Sequence, residues 1–209
     1  MPHAITTFIF DFDGTLADSL NHVIPLYNGI AERFGVPKVT ASDVARIRRM
    51  APSQALAAYG VPLWKVPRIV RAVRTLLREK IDRLEPFEGI GETLLNLKRN
   101  GARCLLVSSN SRDNVEAFLS RHQFLCFERL TCGSSLFGKG ARLRKVLLQA
   151  SLVAPEVAYV GDEVRDIEAA KSVGLKSVAV SWGYADRDTL REAGPDYIID
   201  HPSQLLKLG

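Results

Sequence analysis

Five short apolar runs separated by helical patterns constrain this chain more than any other feature of it. They are residues 5–10 (ITTFIF), 103–107 (RCLLV), 157–160 (VAYV), 177–180 (SVAV) and 197–199 (YII). Each is short for a helix and rich in β-branched or aromatic residues, so each reads as a buried strand. A weaker candidate covers residues 129–132. Helical patterns fall at 90–98, 112–120, 141–150, 165–173 and 189–193, with Asn100-Gly101, Pro155 and Gly174 marking boundaries. Strands alternating with helices predict βαβ units. The expected class is therefore α/β, with a Rossmann-like parallel sheet covered on both faces.

Residues 17–85 break the alternation, because they hold helical patterns and no convincing strand. Within them, Ile69, Val73, Leu76, Leu77 and Ile81 share one helical face. Arg68, Arg71, Arg74 and Arg78 lie towards another, which reads as a solvated face. Pro25, Pro37, Pro52, Pro62 and Pro67 are expected to chop the region into short helices and turns. It carries 12 Lys/Arg against 6 Asp/Glu, while the rest of the chain is nearly balanced at 16 against 17. That asymmetry predicts two units: a core of residues 1–16 and 86–209, and an inserted α-helical domain of residues 17–85.

Composition narrows the setting. With 46% hydrophobic and 24% charged residues, the chain has material for a sizeable core. No apolar run reaches the roughly 20 residues that span a bilayer. The opening MPHAITTFIFDFDG does not resemble a secretory leader. Cys104, Cys126 and Cys132 are odd in number and lack zinc-type spacing, which fits reduced thiols. A cytoplasmic protein is expected, and nothing in the pattern separates monomer from homodimer.

The chemistry gathers at strand ends. Asp11 and Asp13 follow the first strand in DFDGT, and Asp162 and Asp166 follow VAYV in GDEVRD. The C-terminal edge of a parallel sheet is where ligands bind. Four carboxylates converging there would suit Mg²⁺, which prefers hard oxygen donors. Taken singly, Asp13-Gly14 could be a plain turn and Asp162 a helix cap. Their recurrence at equivalent strand ends favours a site. Ser108, Ser109 and Asn110 follow RCLLV and offer hydrogen bonds towards the same edge.

A lysine completes the set. Residues 133–140, GSSLFGKG, come within one residue of the phosphate loop G-x-x-x-x-G-K-[ST]. Gly140 stands where the magnesium-binding hydroxyl should be, so Lys139 reads as a cation delivered to the carboxylates.

The series FDFDGTLADS, LLVSSN, Lys139 before a helix and YVGDEVRD resembles the haloacid dehalogenase-like superfamily. The likeness is to the branch with a helical cap after the first motif, and phosphoglycolate phosphatase-like members are the most similar. The resemblance implies the fold of that superfamily and a Mg²⁺-dependent phosphatase that works through an aspartyl-phosphate. It assigns Asp11 as nucleophile and Asp13 as general acid and base. Ser108 would hold a phosphoryl oxygen, with Ser109 and Asn110 adding contacts, and Lys139 would neutralise charge. Magnesium would take the side chains of Asp11 and Asp162 and the main-chain carbonyl of Asp13. Asp166 would orient a metal water or the lysine. Glu163 would be peripheral.

Asp13 argues against a haloalkanoate substrate, since dehalogenating members of the superfamily lack an aspartate there. A small phosphorylated metabolite is the expected partner. Arg46, Arg48 and Arg49 sit where related caps carry a specificity loop, and Arg49 is the residue chosen to meet substrate. Three alternatives stand beside this reading: a sugar phosphomutase, a nucleic-acid end phosphatase or binding module using the basic insertion, and a non-catalytic relative. The modest charge excess and the lack of interleaved aromatics speak against nucleic acid.

Overall fold

In the computed structural model, residues 4–50, 52–133 and 138–209 are described, the side chain of residue 52 excepted. Six parallel strands form one sheet: β1 (Thr7–Phe10), β2 (Arg103–Ser108), β3 (Phe127–Cys132), β4 (Val157–Gly161), β5 (Lys176–Val180) and β6 (Tyr197–Ile199). Their spatial order is β3-β2-β1-β4-β5-β6, so the chain reverses its direction of winding between β1 and β4. This is the doubly wound order in which ligands bind beyond the strand ends at the reversal.

Side-chain alternation explains the layers. Phe8 and Phe10 of β1 enter one core with Leu106 and Phe118, while Ile9 enters the opposite core with Leu105, Val146 and Tyr159. Helices α5 (Ile90–Arg99) and α6 (Arg112–Arg121) cover the first face. Helices α7 (Lys139–Gln149) and α8 (Val164–Lys171) cover the second. Helix α9 (Arg187–Glu192) starts two residues earlier than its pattern predicts, because the Asp186 side chain caps it at the Thr189 N–H. β3 was the weak strand in the sequence for a physical reason. It is an edge strand with exposed Glu128 and Arg129, so its hydrophobic signal is diluted.

Between β1 and α5 lie α1 (Leu20–Phe34), α2 (Ala41–Ile47), α3 (Pro52–Ala58) and α4 (Val66–Arg78). Leu26, Ala31, Val66, Ile69, Val73 and Leu77 form a core of their own. Pro25 corrects the expectation that every proline breaks a helix, since it lies inside the 15-residue α1. An interior proline costs about 3 kcal/mol. Packing of α1 along α4 offsets that cost, because Leu26 is buried there one residue later. Pro67 sits in the first turn of α4, where no N–H is missed.

These helices are tied to the sheet edge from two sides. The Asn114 amide of α6 donates to the Arg74 carbonyl at 3.2 Å, and Arg78 pairs with Asp113 at 2.7 Å. Across the way, Arg48 Nη2 donates to the Gly183 carbonyl at 2.9 Å and the Asp186 N–H donates to the Arg48 carbonyl at 2.9 Å.

Candidate active site

The ends of β1 and β4 define the centre of the site. The Asp11 N–H donates to the Val160 carbonyl at 2.9 Å, so the strand pairing carries Asp11 directly alongside the start of GDEVRD. Asp11, Asp162 and Asp166 each offer a carboxylate oxygen within 4.8 Å of the others, and all three are buried. Lys139 opens α7 and reaches across with Nζ 2.5 Å from Asp11 Oδ2, also donating to Asp166 Oδ1. The other oxygen of Asp166 accepts the N–H groups of Asp162 and Glu163 at 3.1 and 3.0 Å. Asp162 Oδ1 accepts from the Thr15 hydroxyl and Oδ2 from the Tyr184 N–H, both at 2.8 Å.

Electrostatics follow from burial. Burial raises the Asp11 carboxyl, and the Lys139 charge works against that rise. Asp13 is raised by burial and then by the charge of Asp11, while hydrogen bonds from Ser19 and Asn110 oppose the shift. Asp162 is raised well above the usual range by burial and by neighbouring Glu163 and Asp166. For Lys139, burial alone would depress the ammonium. Asp11 and Asp166 more than offset it and hold the group well above its ordinary value.

Three close carboxylates therefore face one ammonium. Such an excess of buried negative charge, offered by oxygen donors alone, fits a hard divalent cation. The backbone around it leaves no spare room. A Cβ on Gly14, whose φ is +77°, would lie 2.1 Å from Asp162 Oδ2. One on Gly183 would lie 2.2 Å from Asp162 Cβ and 2.4 Å from the Gly14 carbonyl oxygen. Gly183→Ala is expected to displace Asp162 and to cost ~1–3 kcal/mol of stability by overpacking. It should also lower turnover at least tenfold, as read from a thermal melt and phosphate release.

The remaining predicted residues divide. Ser108 and Ser109 are buried at the end of β2, and Ser108 Oγ accepts the Asn110 N–H at 2.9 Å. Asn110 holds Asp13, with Nδ2 at 2.9 and 3.2 Å from its two carboxylate oxygens. Arg49 stands apart from this group: its side chain is 76% exposed and pairs with Asp186 at 3.2 Å. Glu163 is not peripheral, for it lines the cavity over the site and pairs with Arg165. Arg74, expected on a solvated face, lines the same cavity. Its position on α4 explains this: Val70 and Leu77, four residues before and three after it, flank it on the helix surface.

The loop after β5 escaped the sequence reading. Trp182 donates to the Thr15 carbonyl at 3.1 Å, and the Tyr184 hydroxyl meets Ser19 Oγ at 2.8 Å. Its one signal was position, since SWGYADRD follows a strand at the same sheet edge.

Residues 134–137, the middle of GSSLFGKG, lie outside the described residues. The end of that stretch answers the phosphate-loop reading. Gly138 caps α7 at φ +83°, and a Cβ at Gly140 would lie 2.6 Å from Ser172 Oγ. A side chain at position 140 would force the Ser172 hydroxyl aside, and Lys139 is spent on two carboxylates.

Fold, strand-end carboxylates and buried lysine together define a hydrolase of the haloacid dehalogenase-like class. The family model described as haloacid dehalogenase-like hydrolase matches residues 8–180, and the chain belongs to that family. It is similar to a phosphoglycolate phosphatase of Synechococcus elongatus, with 38% identity covering 95% of this chain and 94% of the relative. It is also similar to an N-acetylmuramic acid 6-phosphate phosphatase of Pseudomonas aeruginosa, at 28% identity over 95% and 92% of the two chains. A haloacid dehalogenase-like protein of Streptococcus pneumoniae shares the fold, with a TM-score of 0.78, 21% identity and 97% of each chain covered. The chain is a phosphatase-type member of the family.

Proposed function

We propose that the protein is a Mg²⁺-dependent phosphatase of small anionic phosphomonoesters, phosphoglycolate being the foremost candidate. One observation carries the reading. Two carboxylates two residues apart differ in their partners: Asp11 is ion-paired with Lys139, whereas Asp13 is half-buried and held by the neutral Asn110 amide. Groups whose environments differ in this way divide acid from nucleophile.

An Asp11 oxygen attacks phosphorus as the ester P–O bond breaks, and Asp13 delivers its proton to the leaving oxygen. Asp13 then takes a proton from water, whose oxygen attacks phosphorus and releases phosphate from Asp11. Lys139 keeps Asp11 charged and aimed, and Asp166 keeps Lys139 in place. Ser108 and Ser109 stand at the end of β2 to meet phosphoryl oxygens. Asn110 acts in this reading through Asp13 more than through substrate. Asp11, Asp162 and the Asp13 main-chain carbonyl would hold Mg²⁺. The ion, when bound, would neutralise the anion that must meet an anionic nucleophile.

Residues 17–85 serve as the cap, enclosing a cavity of about 800 Å³ over the sheet edge. A cytoplasmic setting accords with three free cysteines. No helix among the described residues is long and apolar enough to cross a membrane.

The test is phosphate release from a panel of phosphorylated metabolites, with and without metal. Chelation should lower turnover at least roughly a hundredfold, and added Mg²⁺ should restore it. Undiminished turnover in chelator would refute the metal-dependent route. Preference for end-phosphorylated oligonucleotides, with steep salt dependence, would shift the substrate to nucleic acid.

A further inference from the structure

We infer that Arg74 is the specificity residue of the cavity: it receives a second anionic group, a carboxylate, on the leaving-group side of the substrate. The inference rests on the phosphatase reading above.

The cations of the cavity wall can be taken in turn. Lys139 is committed to Asp11 and Asp166, Arg165 to Glu163, and Arg48 donates to the Gly183 carbonyl. Of these cavity-wall cations, Arg74 alone has a guanidinium with neither hydrogen bond nor ion pair among the described residues, while Arg48 keeps one buried Nε without a partner. It is half-buried beside apolar Val70, Val73 and Leu77. An unpaired cation against an apolar wall attracts an anion more strongly than one in open water.

Position selects the leaving group over the phosphate. Asp13 stands where the ester oxygen departs, and the charge of Arg74 is felt there. One run of hydrogen bonds joins the two. Asn110 holds Asp13, and the buried Asn114 amide donates both to Asn110 Oδ1 at 3.1 Å and to the Arg74 carbonyl at 3.2 Å. The proton donor and the α4 backbone that carries Arg74 are thereby in fixed register. A monoester whose leaving alcohol bears a carboxylate a short spacer away satisfies both ends. Guanidinium matches a carboxylate with two parallel hydrogen bonds.

The test compares 2-phosphoglycolate with 2-hydroxyethyl phosphate, its neutral-tailed counterpart, using the full-length Mg²⁺-loaded enzyme. The native protein should favour 2-phosphoglycolate. Arg74→Gln should lower kcat/KM for 2-phosphoglycolate by about tenfold to a hundredfold, mainly through KM, and for the neutral ester by less than about threefold. Arg74→Lys should recover part of the loss. An equal loss on both esters with a displaced pH profile would mean that Arg74 acts through Asp13, which overturns the inference. So would equal use of the two esters by the native enzyme, a comparison that needs no variant. If the native enzyme released phosphate from neither ester nor any other monoester, the phosphatase reading itself would fall.

Discussion

Asp11→Asn is expected to abolish phosphate release, by roughly 10⁴-fold or more, while leaving the protein folded. The amide fills the same space and can still accept the Phe12 N–H that Asp11 Oδ1 accepts at 2.8 Å. It cannot attack phosphorus. Stability should hold or rise, because the change removes a carboxylate that burial disfavours and relieves its repulsion with Asp166. An inert enzyme with an unchanged or higher melting temperature is the combined signature, read by phosphate release and circular dichroism. Activity within tenfold of the parent would mean that another group attacks phosphorus.

Lys139→Met should do the opposite to stability while also stopping turnover, by about 10³-fold. The substitution keeps an unbranched stem and removes the ammonium between Asp11 and Asp166. Breaking a buried ion pair from one side typically costs ~3–5 kcal/mol. In a chain of this size that corresponds to a fall of about 6–20 °C in melting temperature without metal. Mg²⁺ should narrow the gap, since a cation among the three carboxylates replaces part of the lost charge. The sign of the pH effect agrees. Lys139 is raised above its unfolded value, so its contribution is present throughout neutral pH and lost only as pH climbs through the folded value. An unaltered melting temperature in chelator would show that Lys139 does not balance this cluster.

Much of the architecture was legible because buried parallel strands write themselves plainly. β1, β2, β4 and β5 are apolar on both faces, and a run such as TFIF admits few other readings. β3 was faint because none of its six side chains is fully buried and two, Glu128 and Arg129, are exposed. Residues of the candidate site were legible where they follow strands in compact clusters. DFDGT, SSN and GDEVRD each sit within a few residues of a strand end, and strand ends share one edge by topology.

By itself, then, the sequence determined the α/β class, the helical insertion and the family, because periodicity and motif spacing are local properties. It did not decide which cation meets which anion. Arg49 and Arg74 look alike on paper. Yet Arg49 reaches Asp186 on the outside, while Arg74 lines the cavity that Asp13 also lines, with Val70 and Leu77 beside it. Lys139 finds Asp11 across 128 positions of chain and Tyr184 binds Asp162 across 22. Such contacts depend on how helices pack and on where glycines let backbones approach. Only the tertiary structure sets those distances, because charge pairing depends on separation in space and not along the chain.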